Sequence, residues 1–201
     1  MLPRLMAILP SSDPATTVNF TTQLLNGGPI ILHLRDKNAE GKSLYDTSQM
    51  LKLLVNNRNI HIYINSRADI ASATGLSGLH LPENSPSCHH FRSLCPSHLK
   101  IGVSVHSIEK AIEVEMQDAD YLVFGPIFNT PGKTAFQKGI RMLEELCQHV
   151  KIPIYAIGGI NPERTVECLK AGAYGVALCS YLFESEYPEK QAMQIQEKLS
   201  C

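Results

Sequence analysis

A chain of 201 residues that is 44% hydrophobic is long enough for one domain with a substantial core. Its 18 basic and 19 acidic side chains nearly cancel, so charge gives no reason to expect nucleic acid or an anionic membrane as partner. The apolar runs are far too short to span a bilayer and no signal-peptide pattern stands at Met1, so a cytosolic protein is expected.

Leu5–Leu9 reads as a first strand, stopped by Pro10. Asp13-Pro14 is an N-cap and first-turn pair that opens a helix to about Asn26, closed by Gly27-Gly28. Ile30–Leu34 is a second strand, followed by a polar loop to Gly41. Ser43 starts a helix with Leu44, Leu51, Leu53 and Leu54 available for its inner face. Ile60–Ile64 is the third strand, Asn65-Ser66-Arg67 its exit, and Ala68–Thr74 a short helix ended by Gly75. Gly78–Leu81 is a fourth strand; a loop over Pro82–Ser87 and a weak helix around Cys88–Leu94 follow.

Lys100–Ser104 is the fifth strand, Val105–His106–Ser107 its polar turn, and a helix runs on through Met116. Tyr121–Phe124 is the sixth strand, Ile140–Val150 a helix, and Ile154–Ile157 the seventh strand, ending in Gly158-Gly159. Asn161-Pro162 opens a helix that Gly172 closes. Tyr174–Leu178 is the eighth strand and Glu189–Leu199 the last helix. Eight short, continuously apolar strands alternating with helices describe a parallel sheet buried on both faces, and eight such units make a compact (β/α)8 TIM barrel of α/β class in one domain over 1–201. An open doubly wound sheet is the structural rival; no GxGxxG follows the first strand, which disfavours its dinucleotide-binding form.

The six cysteines form no disulfide framework. Cys88-His89-His90, Cys95 and His98 are dense enough to suggest a metal cluster, but the paired spacing of ligands is missing, and a solvated helix and loop is the expectation.

A barrel places function at the C-terminal ends of its strands. The polar residues there are His33, Arg35 and Lys37 after strand two, Asn65 after strand three, and Ser104 and His106 after strand five. Thr130 and Lys133 follow strand six, Gly158-Gly159 strand seven and Cys179-Ser180 strand eight. Small residues in loops seven and eight let backbone N–H groups approach a phosphate, against the plainer role of tight-turn glycines. Arg35 and Lys37 share parity, so an extended chain past Leu34 turns both to the mouth, where they suit a carboxylate or phosphate. His106 is the candidate general acid/base, against a helix-capping histidine. His33 and His80 either face the mouth or are satisfied core histidines.

Several stretches together resemble the thiamine-phosphate synthase/TenI family: His-Leu-Arg-Asp-Lys at 33–37, Asn-Ser-Arg-Ala-Asp at 65–69, Gly-Leu-His-Leu at 78–81 and Gly-Val-Ser-Val-His-Ser at 102–107. Asp-Tyr-Leu-Val-Phe-Gly-Pro-Ile-Phe at 120–128, Ala-Ile-Gly-Gly-Ile at 156–160 and Gly-Val-Ala-Leu at 175–178 continue the likeness over nearly the whole chain. The resemblance implies a TIM barrel that takes a small-molecule thiazole phosphate. The synthase branch joins that thiazole to a pyrimidine pyrophosphate with Mg²⁺ and typically carries acidic residues where this chain has Ser66 and, in the strand-four loop, Ser85, with Glu83 nearby. It usually has Gln at the position of His33. Losing both carboxylates removes hard oxygen ligands that Mg²⁺ needs.

The resemblance is therefore nearer to the TenI branch, thiazole tautomerases that aromatise a carboxythiazole phosphate with no cofactor required. By that analogy His106 matches the acid/base histidine. Thr130, Gly132, Gly158, Cys179 and Ser180 match positions around the thiazole phosphate. Arg35, Lys37, Asn65 and Lys133 match the polar pocket that holds the pyrimidine pyrophosphate in the synthase branch. An active synthase, with Mg²⁺, and a non-catalytic thiazole or thiamine phosphate-binding regulatory protein are the alternatives. Sequence leaves homo-oligomer formation open, and suggests a lid over Pro131–Lys138.

Overall fold

Strands that are apolar at every position need cover on both faces, and closing them into a cylinder inside a ring of helices supplies it. The computed structural model describes residues 1–11, 13–56, 59–129 and 138–200. In chain order these form β1 (Leu5–Leu9), α1 (Pro14–Leu24), β2 (Ile30–Leu34), α2 (Gly41–Leu54), β3 (Ile60–Asn65), α3 (Ala68–Thr74), β4 (Gly78–Leu81) and α4 (Cys88–Leu94). Then come β5 (Lys100–Val105), α5 (Ile108–Met116), β6 (Tyr121–Phe124), α6 (Gly139–His149), β7 (Ile154–Ile157), α7 (Pro162–Lys170), β8 (Gly175–Leu178), α8 (Ser180–Phe183) and α9 (Pro188–Leu199). Each strand pairs in parallel with its sequence neighbours, and β8 returns to β1, so the sheet is a closed TIM barrel.

The two-residue period of each strand divides the core in two. Leu5, Ala7 and Leu9 of β1 face the helices with Ile30, Leu32 and Leu34 of β2. Met6, Ile8, Ile31, Tyr63, Tyr121, Val123, Tyr155 and Ala177 fill the cylinder itself. Tyr63 and Tyr121 stack at 5.6 Å between ring centroids, and Tyr155 meets Tyr121 edge-on at the same separation. These rings fit because Gly78 and Gly102 lie beside them. A Cβ on Gly102 would fall 1.9 Å from Cζ of Tyr121, and one on Gly78 2.5 Å from Cδ1 of Tyr63.

The expected helix starts at Asp13 and Asn161 are N-caps, whose side chains accept from the N–H of Thr16 and Arg164 at 2.8 and 2.9 Å. One local expectation fails, and one element is unannounced. Leu53 does not join the inner face of α2 but stands 81% exposed, because Leu44, Thr47, Ser48 and Leu51 already complete that face at three- and four-residue spacing. The short helix α8 directly after β8 has no signal in the sequence; it turns on the carbonyl of Cys179, which accepts from Leu182 and Phe183. Among the described residues no helix is long and apolar enough to cross a membrane.

The Tyr121 ring is walled in, so it cannot yield to a methyl group at residue 102. Gly102→Ala is expected to lower unfolding free energy by at least about 2 kcal/mol, read from urea denaturation. A loss below about 0.5 kcal/mol would contradict this packing.

Candidate functional site

The inward-facing rows of the strands run on past their C-terminal ends, and that continuation builds the site. On β5 the row is Gly102, Ser104 and then His106; on β2 it is Ile31, His33 and then Arg35. His33, Arg35, Ser104, His106 and Gly158 meet around one cavity of about 520 Å³ at the barrel mouth, a size that suits a small organic ligand. His80, Glu83 and Asn84 from β4 and its loop also line it.

His106 sits on the rim. Its Nδ1 is 3.1 Å from the carbonyl oxygen of Gly125, and its backbone N–H donates to Glu83 Oε1 at 2.9 Å. A carbonyl can only accept, so Nδ1 is the donor, and the tautomer this bond favours has its lone pair on Nε2. His106 is not the helix cap: that part belongs to Ser107, whose Oγ accepts from the N–H of Lys110 at 3.1 Å. Gly125 and Pro126 are joined by a cis peptide.

Beneath the rim the floor is neutral. His80 places Nδ1 3.1 Å from the Tyr121 hydroxyl and Nε2 2.8 Å from Ser104 Oγ. Burial, reinforced by the nearby Arg35 cation, pulls the His80 pKa from its usual 6.5 down to about 3. His33 packs on it at 4.7 Å between ring centroids and is also held well below 6.5, by burial first and then by His80 and Arg35.

The strand-seven and strand-eight residues form an adjoining recess of about 80 Å³, lined by Gly158, Gly159, Cys179 and Ser180 and sharing Ile157 and Gly158 with the main cavity. Gly158 and Gly159 adopt φ of +101° and +62°. A Cβ on Gly158 would fall 2.6 Å from Cβ of Pro126, and one on Gly159 2.5 Å from the carbonyl oxygen of Asn129, so the loop after β6 can lie against that after β7 only over glycines.

Lys37 and Asn65 are not among the cavity-lining residues. Past Arg35 the chain stops being extended: Asp36 Oδ1 accepts from the N–H of Asn38 at 2.9 Å, a local turn that ends the alternation carrying Lys37 inward. Asn65 turns its Nδ2 to the hydroxyl of Ser66 at 2.8 Å. Thr130, Gly132 and Lys133, and most of the expected lid at 131–138, lie outside the described residues. Sequence reasoning missed the Gly125 carbonyl and Asn84 as parts of the site; nothing in the motif around Gly125-Pro126 signals which way that carbonyl points.

The Mg²⁺ set of a synthase does not fit what is present. The strand-three exit offers an amide and a hydroxyl, and Ser85 lines a separate crevice beside Cys88 and Lys110. Glu83, the carboxylate among the described lining residues, already accepts from His106. Among the described residues no group of three or more His, Cys, Asp or Glu side chains is placed to hold a metal ion. In the cysteine–histidine stretch Cys88 is buried, while exposed His89 lies 3.5 Å from Asp118.

The two buried histidines set an acid limb of stability. Their folded pKa values lie below the unfolded 6.5, so the unfolded chain gains protons that the folded chain refuses. Their contribution is complete above 6.5 and is lost as pH falls through and below it, at about 1.4 kcal/mol per pH unit for each ring. A His33→Gln/His80→Gln double variant is expected to lose at least about 2 kcal/mol less than the parent between pH 7.5 and pH 5. Parallel losses in urea denaturation would contradict neutral burial.

A sequence profile of the family described as thiamine monophosphate synthase matches residues 5–182. A protein named putative thiamine-phosphate synthase 2 from Aquifex aeolicus is 35% identical over 185 residues, 91% of this chain and 99% of that protein. A thiamine-phosphate synthase of Pyrococcus horikoshii is 37% identical over 165 residues, 82% of this chain and 79% of its own. The solved structure of thiamine phosphate pyrophosphorylase from Pyrococcus furiosus superposes with a TM-score of 0.87 at 29% identity, covering 98% of this chain and 95% of that one. A 3-hexulose-6-phosphate synthase, at 13% identity and a TM-score of 0.76, shares the fold alone. With a barrel mouth carrying these motifs and a profile match across most of its length, this chain belongs to the thiamine-phosphate synthase/TenI family.

Proposed function

We propose that this protein is a cytoplasmic thiazole tautomerase, an isomerase that aromatises a carboxythiazole phosphate by moving one proton. The observation that carries the reading is His106: its Nδ1–H is tied to the Gly125 carbonyl, and its imidazole lines the cavity with Nε2 as the basic nitrogen. Nε2 takes the proton from the ring carbon that bears the carboxylate. The electron pair moves through the ring toward the exocyclic carbon, which receives a proton from the same imidazole, and the ring becomes aromatic. The atoms balance with no co-reactant. The Arg35 guanidinium, on the same mouth, suits the substrate carboxylate and offsets the charge that develops. The recess at Gly158, Gly159, Cys179 and Ser180 is assigned to the phosphate, by the rule that loops seven and eight of a barrel hold one, and Thr130 and Gly132, beyond the described residues, join it by the family resemblance.

The second reading is a transferase, thiamine-phosphate synthase, and the names of the relatives at 35% and 37% identity favour it. Against it stand the neutral groups at Asn65 and Ser66, which leave Glu83 as the one carboxylate among the described residues lining the cavity. Coupling through a pyrophosphate needs Mg²⁺ held by hard oxygen ligands, and carboxylates at those positions are what supply them.

One pair of assays separates the two. With the ylidene-ethyl carboxythiazole phosphate as substrate, the parent protein is expected to form the aromatic product, and His106→Asn to lose about 10²–10⁴-fold in kcat. With thiazole phosphate, pyrimidine pyrophosphate and Mg²⁺, no coupling is expected. Metal-dependent coupling without aromatisation would reverse the assignment.

A further inference from the structure

Of the described residues that line the mouth cavity, His33 is the one whose buried side-chain polar atoms have no partner. His80 engages Tyr121 through one nitrogen and Ser104 through the other. His33, only 2% exposed, has a partner for neither Nδ1 nor Nε2 among the described residues. A buried imidazole left in this way costs stability, so such a group marks a place where something else completes the bonding. It lines the same cavity as His106 and Gly158.

We infer that His33 is the ring-reading residue of the cavity, a neutral imidazole whose N–H donates to the in-plane nitrogen of a bound five-membered heterocycle. The inference deepens the thiazole phosphate reading of the site and rests on it. The floor selects an uncharged acceptor: His33 is packed on a second buried imidazole with Arg35 close by, and placing another cation there is costly. The carboxylate and phosphate of the ligand find cationic or backbone partners at the rim. The ring nitrogen is what remains, since a ring sulfur is a weak acceptor.

The bond also acts on the chemistry. Proton loss places the negative charge on the ring carbon with its carboxylate, on the ring carbon beyond the nitrogen and on the exocyclic carbon, so the bond from His33 to the nitrogen's in-plane lone pair holds the ring in one orientation for both proton transfers. The same donor occupies the lone pair that a coupling reaction would have to alkylate, so this role goes with isomerisation.

The test is calorimetric titration with two probes, 4-methylthiazole ethyl phosphate and its thiophene analogue, in which CH replaces the ring nitrogen. The parent is expected to bind the thiazole about tenfold more tightly. His33→Leu is expected to bind both alike, and His33→Gln, whose amide still donates, to recover most of the preference. A preference that survives in His33→Leu, or is missing from the parent, would overturn the inference. Should His33→Leu fail to fold, ring ¹⁵N signals of the parent decide: a shift of His33 with the thiazole and not the thiophene supports the role, and equal responses overturn it. Ring preference without aromatisation removes the tautomerase alone; aromatisation without preference removes the role of His33 alone.

Discussion

Three tyrosines fill the middle of this barrel and make the floor on which the mouth cavity rests. Tyr63, Tyr121 and Tyr155 occupy the cylinder from its middle downward, their rings admitted by glycines at 78 and 102 and the Tyr155 hydroxyl donating to the Pro3 carbonyl at 2.5 Å. The interior they fill is packed; the cavity above it lies where the inward rows end in polar residues, and a separate cavity of about 530 Å³ opens below, lined by Tyr63, His61, Ser77 and Asp120. The Tyr121 hydroxyl then meets His80, and His80 meets Ser104. The packed base and the cavity floor are thereby one bonded structure.

That coupling produces a vertical gradient of charge. The floor carries imidazoles that burial keeps neutral, while the charged side chains of Arg35 and Glu83 stand at the rim. Charges at the edge of a low-dielectric pocket act strongly on a ligand without the full cost of their own burial. His106 profits twice: the Gly125 carbonyl fixes its tautomer, and its backbone is held by Glu83 from the neighbouring loop. A side chain whose orientation is set by two elements needs no reorganisation when a ligand arrives.

Much of this was readable in the order of residues. Apolar strands at regular intervals, punctuated by Asp13-Pro14, Gly27-Gly28 and Asn161-Pro162, specify the alternation of elements, and alternation with eight strands specifies closure. Parity along β5 carried His106 to the mouth, because the strand stays extended as far as Val105. Lys37, which shares parity with Arg35, is not among the residues lining the cavity, and just past Arg35 the Asp36 carboxylate accepts from the N–H of Asn38. Leu53 misled through its type, being apolar on a helix whose inner face accepts Thr47 and Ser48 instead; there the Ser48 hydroxyl donates to the Leu44 carbonyl at 2.7 Å. The roles of His33 and His80 could not be separated in advance. What distinguishes them is whether a hydroxyl from another strand lies within reach, and that is a property of register, not of composition.

The central claim is that one imidazole at the barrel mouth works on a heterocycle lying between it and a neutral floor. The most direct measurement is a crystal structure with the aromatic carboxythiazole phosphate bound. The account predicts the phosphate against Gly158, Gly159 and Ser180, the exocyclic carbon facing His106 Nε2, and the ring nitrogen within hydrogen-bond distance of His33. A ring seated away from His106, with that side chain facing only solvent, would contradict it.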